Sequence, residues 1–284
     1  MSLTEFQGGI NLIMFGAIYG DIIGSYYEIH CTKDYDFIFH KNSSFTDDSV
    51  LTAATCEAIL LNPEPIKKIN IKNRALEYAM QYKNYYFRFP HAGYGTMFTE
   101  WAKEKTAYPS KQKSFGNGGA MRVVPIGLAY ESLEQVLLQA KASCFYTHNH
   151  KKAIQSAQAV ASAVYLAKHH ASKSEIKKFI SEKFRFNLNY QIQDIRNNYQ
   201  FDSYAEYSVP PAIICFLDSH DYESAIRNAI SLGGDADTMA CIAGGIAQVF
   251  YKSIPEHIKK FCDTRLDFGI KKTIKKFEQQ YFLK

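Results

Sequence analysis

The fold is decided by residues 16–28, which read GAIYGDIIGSYYE. Gly16, Gly20 and Gly24 follow one another at steps of four, so they lie on one face of a helix and leave it bare. Each glycine costs roughly 1 kcal/mol of helix stability relative to alanine, and close packing or a ligand must compensate for that loss. We therefore expect a central helix that another backbone approaches closely, with Glu28 one further step along, near its end.

Small residues recur in a second helical segment, at Ala240, Ala243, Gly244 and Ala247. Their spacing predicts another bare stripe, and two such stripes allow two helix backbones to approach each other. We expect this segment to pack against the glycine face of the first helix.

Helical periodicity dominates the rest of the chain, and only residues 36–40 hint at extended structure. With 46% hydrophobic and 14% aromatic residues, the chain can bury one sizeable core, and no change of composition marks a domain boundary. The sequence predicts an all-α fold, with about ten helices in one compact domain over residues 1–284. The predicted helices span residues 8–28, 47–61, 66–83, 119–129, 132–144, 151–168, 174–184, 209–217, 222–230, 237–251 and 268–282.

The cysteines and the amino terminus bear on the location of the protein. No CxxC pair occurs among the six cysteines, and Cys56, Cys144, Cys215 and Cys241 lie among apolar residues. This pattern is typical of buried free thiols in a reducing compartment. The first residues lack the basic segment of a secretory signal, and their apolar run is too short to span a bilayer. We predict a cytoplasmic protein without a membrane partner.

The net charge of +5 comes largely from lysines in the last third of the chain. These lysines form either a nucleic-acid groove or the solvated face of an amphipathic helix. Ile270, Ile274, Phe277 and Tyr281 fall at helical spacing, which favours the second interpretation. Nucleic acid is therefore not the expected partner.

Two acidic clusters each stand at the start of a predicted helix. They are Thr46-Asp47-Asp48 and Asp235-Ala236-Asp237-Thr238, and the second follows two glycines that permit a tight turn. Either cluster alone is explained as a helix cap, because aspartate is a good N-cap and acids are stable near helix N-termini. The repetition of the same composition favours one shared site instead.

Four carboxylates in one site raise one another's pKa strongly unless cations neutralise them. Hard oxygen ligands without histidine or cysteine select magnesium, manganese or calcium over zinc. A pair of such ions can hold substrate hydroxyls and lower the pKa of a bound water. Glu28 is the candidate to orient or deprotonate that water if the first helix ends at the same pocket, and is otherwise a surface residue.

A glycine-rich loop at residues 114–119, SFGNGG, offers unhindered backbone amides before a helix. Such a loop can bind phosphate oxygens, although Gly-Asn-Gly is also an ordinary turn. No Gly-Lys-Ser/Thr follows, which disfavours nucleotide triphosphate hydrolysis. Phe115 either stacks on a ligand ring or belongs to the core. Between two helical segments, His148 is expected to contact a ligand, and His150 to cap a helix or lie at the surface.

Together these residues resemble the ADP-ribosylglycohydrolase family, also known from the dinitrogenase reductase-activating glycohydrolases. Any one segment is weak by itself, whereas their order and spacing through most of the chain are specific. The matching segments are residues 16–28, FTDDSVL at 45–51, FGNGGAMRVVP at 115–125, Thr147-His148 and LGGDADTMACIAGG at 232–245.

The resemblance implies an all-α fold with a dinuclear magnesium or manganese centre in a central cleft. It implies cleavage of the bond between the terminal ribose of ADP-ribose and an attached group, in an ADP-ribosylated protein or a small ADP-ribose conjugate. Glu28, Asp47 and Asp48 are implied in catalysis, His148 in substrate contact, and Phe115 beside the adenine. The implied metal ligands are Thr46, Asp47, Asp48, Asp235, Asp237 and Thr238. The implied loop for the diphosphate and distal ribose is Ser114, Phe115, Gly116, Asn117, Gly118 and Gly119.

Two aromatic segments, YYFRF at 85–89 and YAEY at 204–207, match no family motif and are candidates for selecting the leaving group. The leaving group and the oligomeric state stay open. Two other functions also stay open: a non-catalytic ADP-ribose-binding or crystallin-like structural protein, and a metal-dependent nucleotide phosphohydrolase. The first would be expected to lose acids at the metal site, and here all four aspartates and Glu28 are present. Phosphate release would reveal the second.

Overall fold

The structure, a computed structural model, describes residues 14–106 and 108–282. This part of the chain forms fourteen α-helices and no β-strand, so the all-α prediction is confirmed. The helices are α1 (Phe15–Ile29), α2 (Asp47–Leu61), α3 (Ile71–Arg88), α4 (Thr96–Lys103), α5 (Val124–Ala129), α6 (Leu133–Cys144), α7 (Lys151–Lys168), α8 (Lys173–Phe184), α9 (Ile192–Ile195), α10 (Ala205–Leu217), α11 (Tyr222–Ile230), α12 (Ala236–Tyr251), α13 (Glu256–Asp263) and α14 (Phe268–Phe282).

The packing of α1 against α12 forms the centre of the fold. A Cβ atom added to Gly20 would lie 2.2 Å from the carbonyl oxygen of Ala240, so only glycine permits this approach. Because the contacts run in opposite directions along the two helices, the pair is antiparallel. The expected backbone contact at the glycine face is confirmed. The glycines and the carbonyl oxygens they meet are Gly16 with Gly244, Gly20 with Ala240, and Gly24 with Ala236.

The other helices surround this pair. Residues 236–249 of α12 are buried, because α7, α10 and α11 cover the sides that α1 leaves free. Helix α2 lies against α3 and α14 and also contacts α1, which brings its first turn beside the glycine-striped helix. One hydrophobic cluster runs through these contacts, so the described residues form a single compact body.

Three short helices, α4, α9 and α13, are not predicted by the sequence. They have eight, four and eight residues, and all three are shorter than the window of about 11 to 18 residues over which a helical period is recognised. Helix α3 begins only at Ile71, after a 3-10 turn at Lys68–Asn70. Helix α10 begins at Ala205, earlier than the predicted start at residue 209. Proline is most frequent at the first position of a helix, but here Pro210 and Pro211 lie inside it.

Other predicted segments also differ in detail. The helix predicted over residues 8–28 begins at Phe15, and residues 8–13 lie outside the described part of the chain. Within the segment 119–129 only Val124–Ala129 is α-helical, since Gly119 ends a 3-10 turn at Asn117–Gly119 and residues 120–122 form a further turn. Residues 36–40 are irregular and form no strand.

The six cysteines are free thiols; Cys31 is exposed and the other five are buried. In α14, Ile270, Ile274 and Phe277 are buried while Lys272 is exposed, which confirms the amphipathic helix. No helix among the described residues is long and apolar enough to cross a membrane.

Candidate metal centre and ligand pocket

The two acidic clusters meet where α1, α2 and α12 come together. Glu28, Asp235 and Asp237 each bring a carboxylate oxygen to within 4.8 Å of the other two. Asp21, Asp48 and Asp237 form a second group with the same spacing. Asp237 belongs to both groups, so it is the carboxylate that the two groups share.

Helix capping does not account for these clusters. Thr46 and Asp235 hold the N-cap positions of α2 and α12, yet neither side chain makes a capping hydrogen bond. The Oδ1 atom of Asp48 is buried and has no hydrogen-bond partner among the described residues. A buried carboxylate oxygen without a partner is costly, and a bound cation would satisfy it.

Asp21 is a site residue that the sequence patterns do not single out. It is fully buried in α1, and its Oδ2 atom accepts hydrogen bonds from the backbone amides of Thr46, at 2.9 Å, and Ser49, at 3.1 Å. The hydroxyl group of Ser49 also donates to Oδ2. Asp21 and Glu28 are seven residues apart and share one helix face, which is the signal that could have revealed Asp21.

Burial and mutual repulsion raise the pKa of the clustered carboxyl groups. Burial contributes most for Asp47, and the charges of Asp21 and Asp235 add to it, which raises the pKa of Asp47 to about 8. The pKa values of Asp48 and Asp237 also lie well above their ordinary range, first because of burial and then because of neighbouring carboxylates. The metal-free cluster therefore retains protons at neutral pH, and a cation must displace them.

Glu28 lies at the end of α1, half-buried in the lining of a cavity beside the cluster. Burial, followed by the charges of Asp235 and Asp21, raises the pKa of its carboxyl group. A raised pKa makes a carboxylate a better proton acceptor, which is a property of general bases.

Two threonine hydroxyl groups add to the oxygen atoms that could coordinate a cation. The Oγ1 atoms of Thr46 and Thr238 lie 3.4 Å and 3.3 Å from Asp48 Oδ2. Thr46 also donates its hydroxyl hydrogen to Asp21 Oδ1, at 2.5 Å, which leaves the lone pairs of its oxygen available. The donors gathered here are carboxylate and hydroxyl oxygens, and this donor chemistry fits magnesium or manganese.

A cavity of 460 Å³ lies beside the acids. Its lining includes Glu28, Asp47 and Asp235, together with residues 114–118 and His148. Small-molecule sites usually measure roughly 300–1,000 Å³, so the cavity has room for a ligand of nucleotide size. The structure thus brings the acids and the glycine loop to one cavity.

Asn117 connects the glycine loop to the acids. Its side-chain amide donates hydrogen bonds to Asp235 Oδ2, at 2.8 Å, and to Ser208 Oγ, at 3.2 Å. The backbone amide of Gly116 donates to Ser114 Oγ, at 3.2 Å. Both groups are engaged within the protein, so the diphosphate prediction rests on the remaining residues of the loop.

Gly118 and Gly119 allow His148 to approach the loop. A Cβ atom added to Gly118 would lie 3.0 Å from the imidazole Nε2 atom, and one added to Gly119 would lie 2.9 Å from Cys144 Sγ. Larger residues at either position would press on the buried imidazole or on α6. His148 is therefore held directly against the loop.

Phe115 lies at the cavity and not in the core. Its side chain is 43% exposed, and its ring meets that of Tyr204 edge-on with centroids 4.5 Å apart. His150 caps α7 by accepting a hydrogen bond from the Lys152 amide, as one of the two sequence interpretations predicts.

The two unmatched aromatic segments have different places in the fold. Tyr204 lines the cavity, which keeps it a candidate for ligand contact. Tyr85 and Tyr86 are buried in the core, and residues 85–89 do not contribute to the cavity lining. Cavity residues that the sequence does not predict come from α4 and the segment before α10, and they include Phe98, Trp101 and Phe201.

The sequence model of one protein family, described as ADP-ribosylglycohydrolase, matches residues 10–281. The chain belongs to the ADP-ribosylglycohydrolase family. The match covers both acidic clusters, the glycine loop and His148. Membership in this family supports glycohydrolase activity.

Curated relatives agree with this assignment. ADP-ribosylhydrolase ARH3 of Homo sapiens is 28% identical over 338 residues, which cover 92% of this chain and 90% of that protein. ADP-ribosylhydrolase ARH3 of Danio rerio is 25% identical, with 93% and 87% covered. ADP-ribosylarginine hydrolase Tri1 of Pseudomonas putida is 25% identical over 142 residues, which cover 48% of this chain and 38% of that protein.

A solved structure with the same architecture is described as an ADP-ribosylglycohydrolase-related protein complex. It matches with a TM-score of 0.69 and 19% sequence identity, and the match covers 96% of this chain and 99% of that chain. At this identity the likeness shows the fold, which is the single all-α domain of this family.

Proposed function

We propose that this ADP-ribosylglycohydrolase cleaves the bond between the terminal ribose of ADP-ribose and an attached group in a metal-dependent reaction. The observation that carries the proposal is the shared cavity, which Glu28, Asp47 and Asp235 line together with the glycine loop. The similarity to proteins named ADP-ribosylhydrolase supports the same reaction.

The acidic cluster is the proposed site of two Mg²⁺ or Mn²⁺ ions. Such ions, when bound, would hold the ribose hydroxyls and lower the pKa of a bound water. Asp237 is the carboxylate that the two groups share. Asp21 lies in the second group, but its two oxygens accept hydrogen bonds from Thr46 and Ser49, so its proposed role is to orient Thr46 and not to bind an ion. The proposed ligands are Thr46, Asp47, Asp48, Asp235, Asp237 and Thr238.

Glu28 is the proposed general base. Its raised pKa suits removal of a proton from the attacking water, whose oxygen forms a bond to the anomeric carbon of the terminal ribose. The bond to the leaving group breaks as positive charge develops on the ribose, and nearby carboxylates stabilise that charge. The leaving group departs with the electron pair and takes up a proton, so the products are ADP-ribose and the protonated leaving group.

The rest of the cavity is proposed to hold the remainder of ADP-ribose. Gly118 and His148 line the cavity and are the proposed contacts of the diphosphate, whereas Gly119 is buried beneath them. The exposed rings of Phe115 and Tyr204 offer apolar surface to the adenine. The substrate is an ADP-ribosylated protein side chain or a small ADP-ribose conjugate. Arginine is one leaving group to test, since Tri1 is named an ADP-ribosylarginine hydrolase.

A substrate panel with and without a chelator tests the proposal. The panel consists of ADP-ribosyl-arginine, ADP-ribosyl-serine, O-acetyl-ADP-ribose and ADP-ribose 1″-phosphate. We expect chelator-sensitive release of intact ADP-ribose from at least one substrate. Release of phosphate from ADP-ribose itself would indicate a phosphohydrolase. ADP-ribose binding without turnover of any substrate would indicate a non-catalytic binder.

Asp237→Asn tests the metal centre directly, because Asp237 belongs to both groups of acids. We expect loss of Mn²⁺ binding and of turnover, with an unchanged circular dichroism spectrum. The matched control is Asp36→Asn, which alters an exposed aspartate outside the cavity. Full activity of Asp237→Asn at saturating Mg²⁺ would contradict the metal-dependent mechanism.

A further inference from the structure

His148 is connected to the buried guanidinium group of Arg122 through the hydroxyl group of Thr147. Arg122 is fully buried, with its guanidinium carbon 3.9 Å from the centre of the Tyr82 ring. Its Nη2 atom donates hydrogen bonds to Thr147 Oγ1, at 2.6 Å, and to the Ser143 carbonyl oxygen, at 3.1 Å. The same Thr147 Oγ1 atom lies 2.9 Å from His148 Nδ1.

The direction of these hydrogen bonds determines where the imidazole carries its proton. A guanidinium group only donates, so the Thr147 oxygen accepts from Arg122. Among the described residues, Thr147 Oγ1 has no hydrogen-bond partner besides Arg122 and His148 Nδ1, so Nδ1 is the one place where its own hydrogen can be accepted. Because Nδ1 accepts that hydrogen, a neutral imidazole must carry its own proton on Nε2.

Arg122 also opposes a second proton on His148. The Nε and Nη1 atoms of Arg122 are buried and have no hydrogen-bond partner within the described part of the chain, so little compensates their charge. Burial, followed by the charge of Arg122, lowers the pKa of His148 well below its ordinary value. The imidazole is therefore neutral at physiological pH.

The free end of the ring faces the glycine loop. A Cβ atom added to Gly116 would lie 3.9 Å from Nε2, and the distance from Gly118 is only 3.0 Å. His148 lines the same cavity as the acids. A hydrogen-bond donor at Nε2 is therefore placed to contact a ligand bound at the glycine loop.

We propose that Arg122 and Thr147 are positioning residues that hold His148 as a neutral imidazole with its proton on Nε2, directed at an oxygen of the bound ligand. The assignment of that oxygen to the diphosphate of ADP-ribose rests on the proposed function. The arrangement presents a fixed donor, which suits an anionic oxygen that can only accept hydrogen bonds. Because the imidazole stays neutral, its hydrogen bond to the ligand oxygen does not depend on protonation of His148.

Long-range ¹H–¹⁵N NMR of the imidazole nitrogens tests the tautomer without a substrate. The chain has nine histidines, and the signals of His148 are assigned by their loss in His148→Gln. Near neutral pH we expect a single proton, carried by Nε2. A proton on Nδ1, or a doubly protonated ring, would overturn the proposal.

A pair of Thr147 variants tests the positioning role. Thr147→Val removes the hydroxyl and Thr147→Ser keeps it. We expect Thr147→Val to change the tautomer signals and to weaken ADP-ribose binding, measured by calorimetry, by about tenfold or more, as for a lost hydrogen bond to a charged group. Thr147→Ser should retain both. Wild-type tautomer and affinity in Thr147→Val would overturn the positioning role.

A second pair keeps the test decisive if Thr147→Val fails to fold. The side-chain amide of His148→Gln can occupy the place of Nε2, whereas that of His148→Asn is too short. We expect His148→Gln to bind ADP-ribose at least several times more tightly than His148→Asn, and equal affinities would contradict an Nε2 donor. These tests measure ADP-ribose binding and NMR spectra, and none of them depends on hydrolysis of a substrate. A protein that binds ADP-ribose but hydrolyses no substrate would refute the proposed function alone.

Discussion

At the scale of residues, Asp21 is expected to act on the proposed metal site through its hydrogen bonds and not as a ligand. Its two oxygens accept hydrogen bonds from the backbone and hydroxyl groups of Thr46 and Ser49, at the beginning of α2. An asparagine would replace one acceptor oxygen by a donor, so Thr46 would keep only one of its two hydrogen bonds to this side chain. Loss of such an outer partner typically weakens metal binding by about 10–100-fold, and we expect Asp21→Asn to weaken Mn²⁺ binding to this extent in a calorimetric titration.

Asp36→Asn serves as the control for this measurement, since it removes the same charge from an exposed loop. Its Mn²⁺ affinity should match that of the unmodified protein. If Asp21→Asn also retains full affinity, the hydrogen bonds to Thr46 do not organise the site.

At the scale of helices, the contact between α1 and α12 decides the geometry of the metal centre. Asp21 and Glu28 lie on α1 and Asp237 on α12, so the distance between these helices sets the distance between their carboxylates. In Gly20→Ala the new Cβ would lie 2.2 Å from a backbone oxygen, and the helices must separate. We expect a net loss of about 2 kcal/mol or more in the free energy of unfolding, because overpacking exceeds the gain of about 1 kcal/mol in helix propensity.

Urea denaturation measures this change, and Gly95→Ala is the matched control. A Cβ atom added to Gly95 meets nothing within 4 Å, so its effect on the urea midpoint should be small. Equal midpoints for Gly20→Ala and Gly95→Ala would show that α1 and α12 can move apart at no cost.

For the whole molecule, the acidic cluster couples metal binding to pH and to stability. Burial raises the pKa of Asp21 to about 6, although hydrogen bonds from Ser49 and Thr46 lower it. Burial and neighbouring carboxylates raise the pKa of Asp47 to about 8. Without a bound cation, the folded protein therefore binds these protons more tightly than the unfolded chain. Their stabilising effect is complete below the unfolded pKa of about 4 and is lost as the pH rises through 6 to about 8. Cations displace the protons, so Mn²⁺ affinity should rise with pH across this window, up to about tenfold per pH unit for each proton displaced.

Calorimetry in buffers of different ionisation enthalpy measures the released protons. Thermal denaturation adds a second test, because the increase in Tm caused by Mn²⁺ should be larger at pH 8 than at pH 6. Asp47→Asn is expected to reduce the pH dependence. An affinity that does not change with pH would mean that the cluster is already ionised without metal.

The sequence by itself determined the longer helices and the chemistry of the short motifs. Apolar periodicity, the steps of four between Gly16, Gly20 and Gly24, and the acids before α2 and α12 are local patterns, and local patterns follow from the geometry of a single helix. They sufficed for the all-α fold and for the close helix contact. They also indicated a family, which the family match confirmed.

Only the tertiary structure decided which side chains share a site. It brought Asp21 to Thr46, separated the exposed Phe115 from the core, and placed Tyr204 but not Tyr85 at the cavity. It also showed that the acids face one another and that Asp48 Oδ1 has no hydrogen-bond partner within residues 14–106 and 108–282. These facts depend on contacts between residues distant in the chain, whose distances are set by the packing of whole helices and not by the order of neighbouring residues.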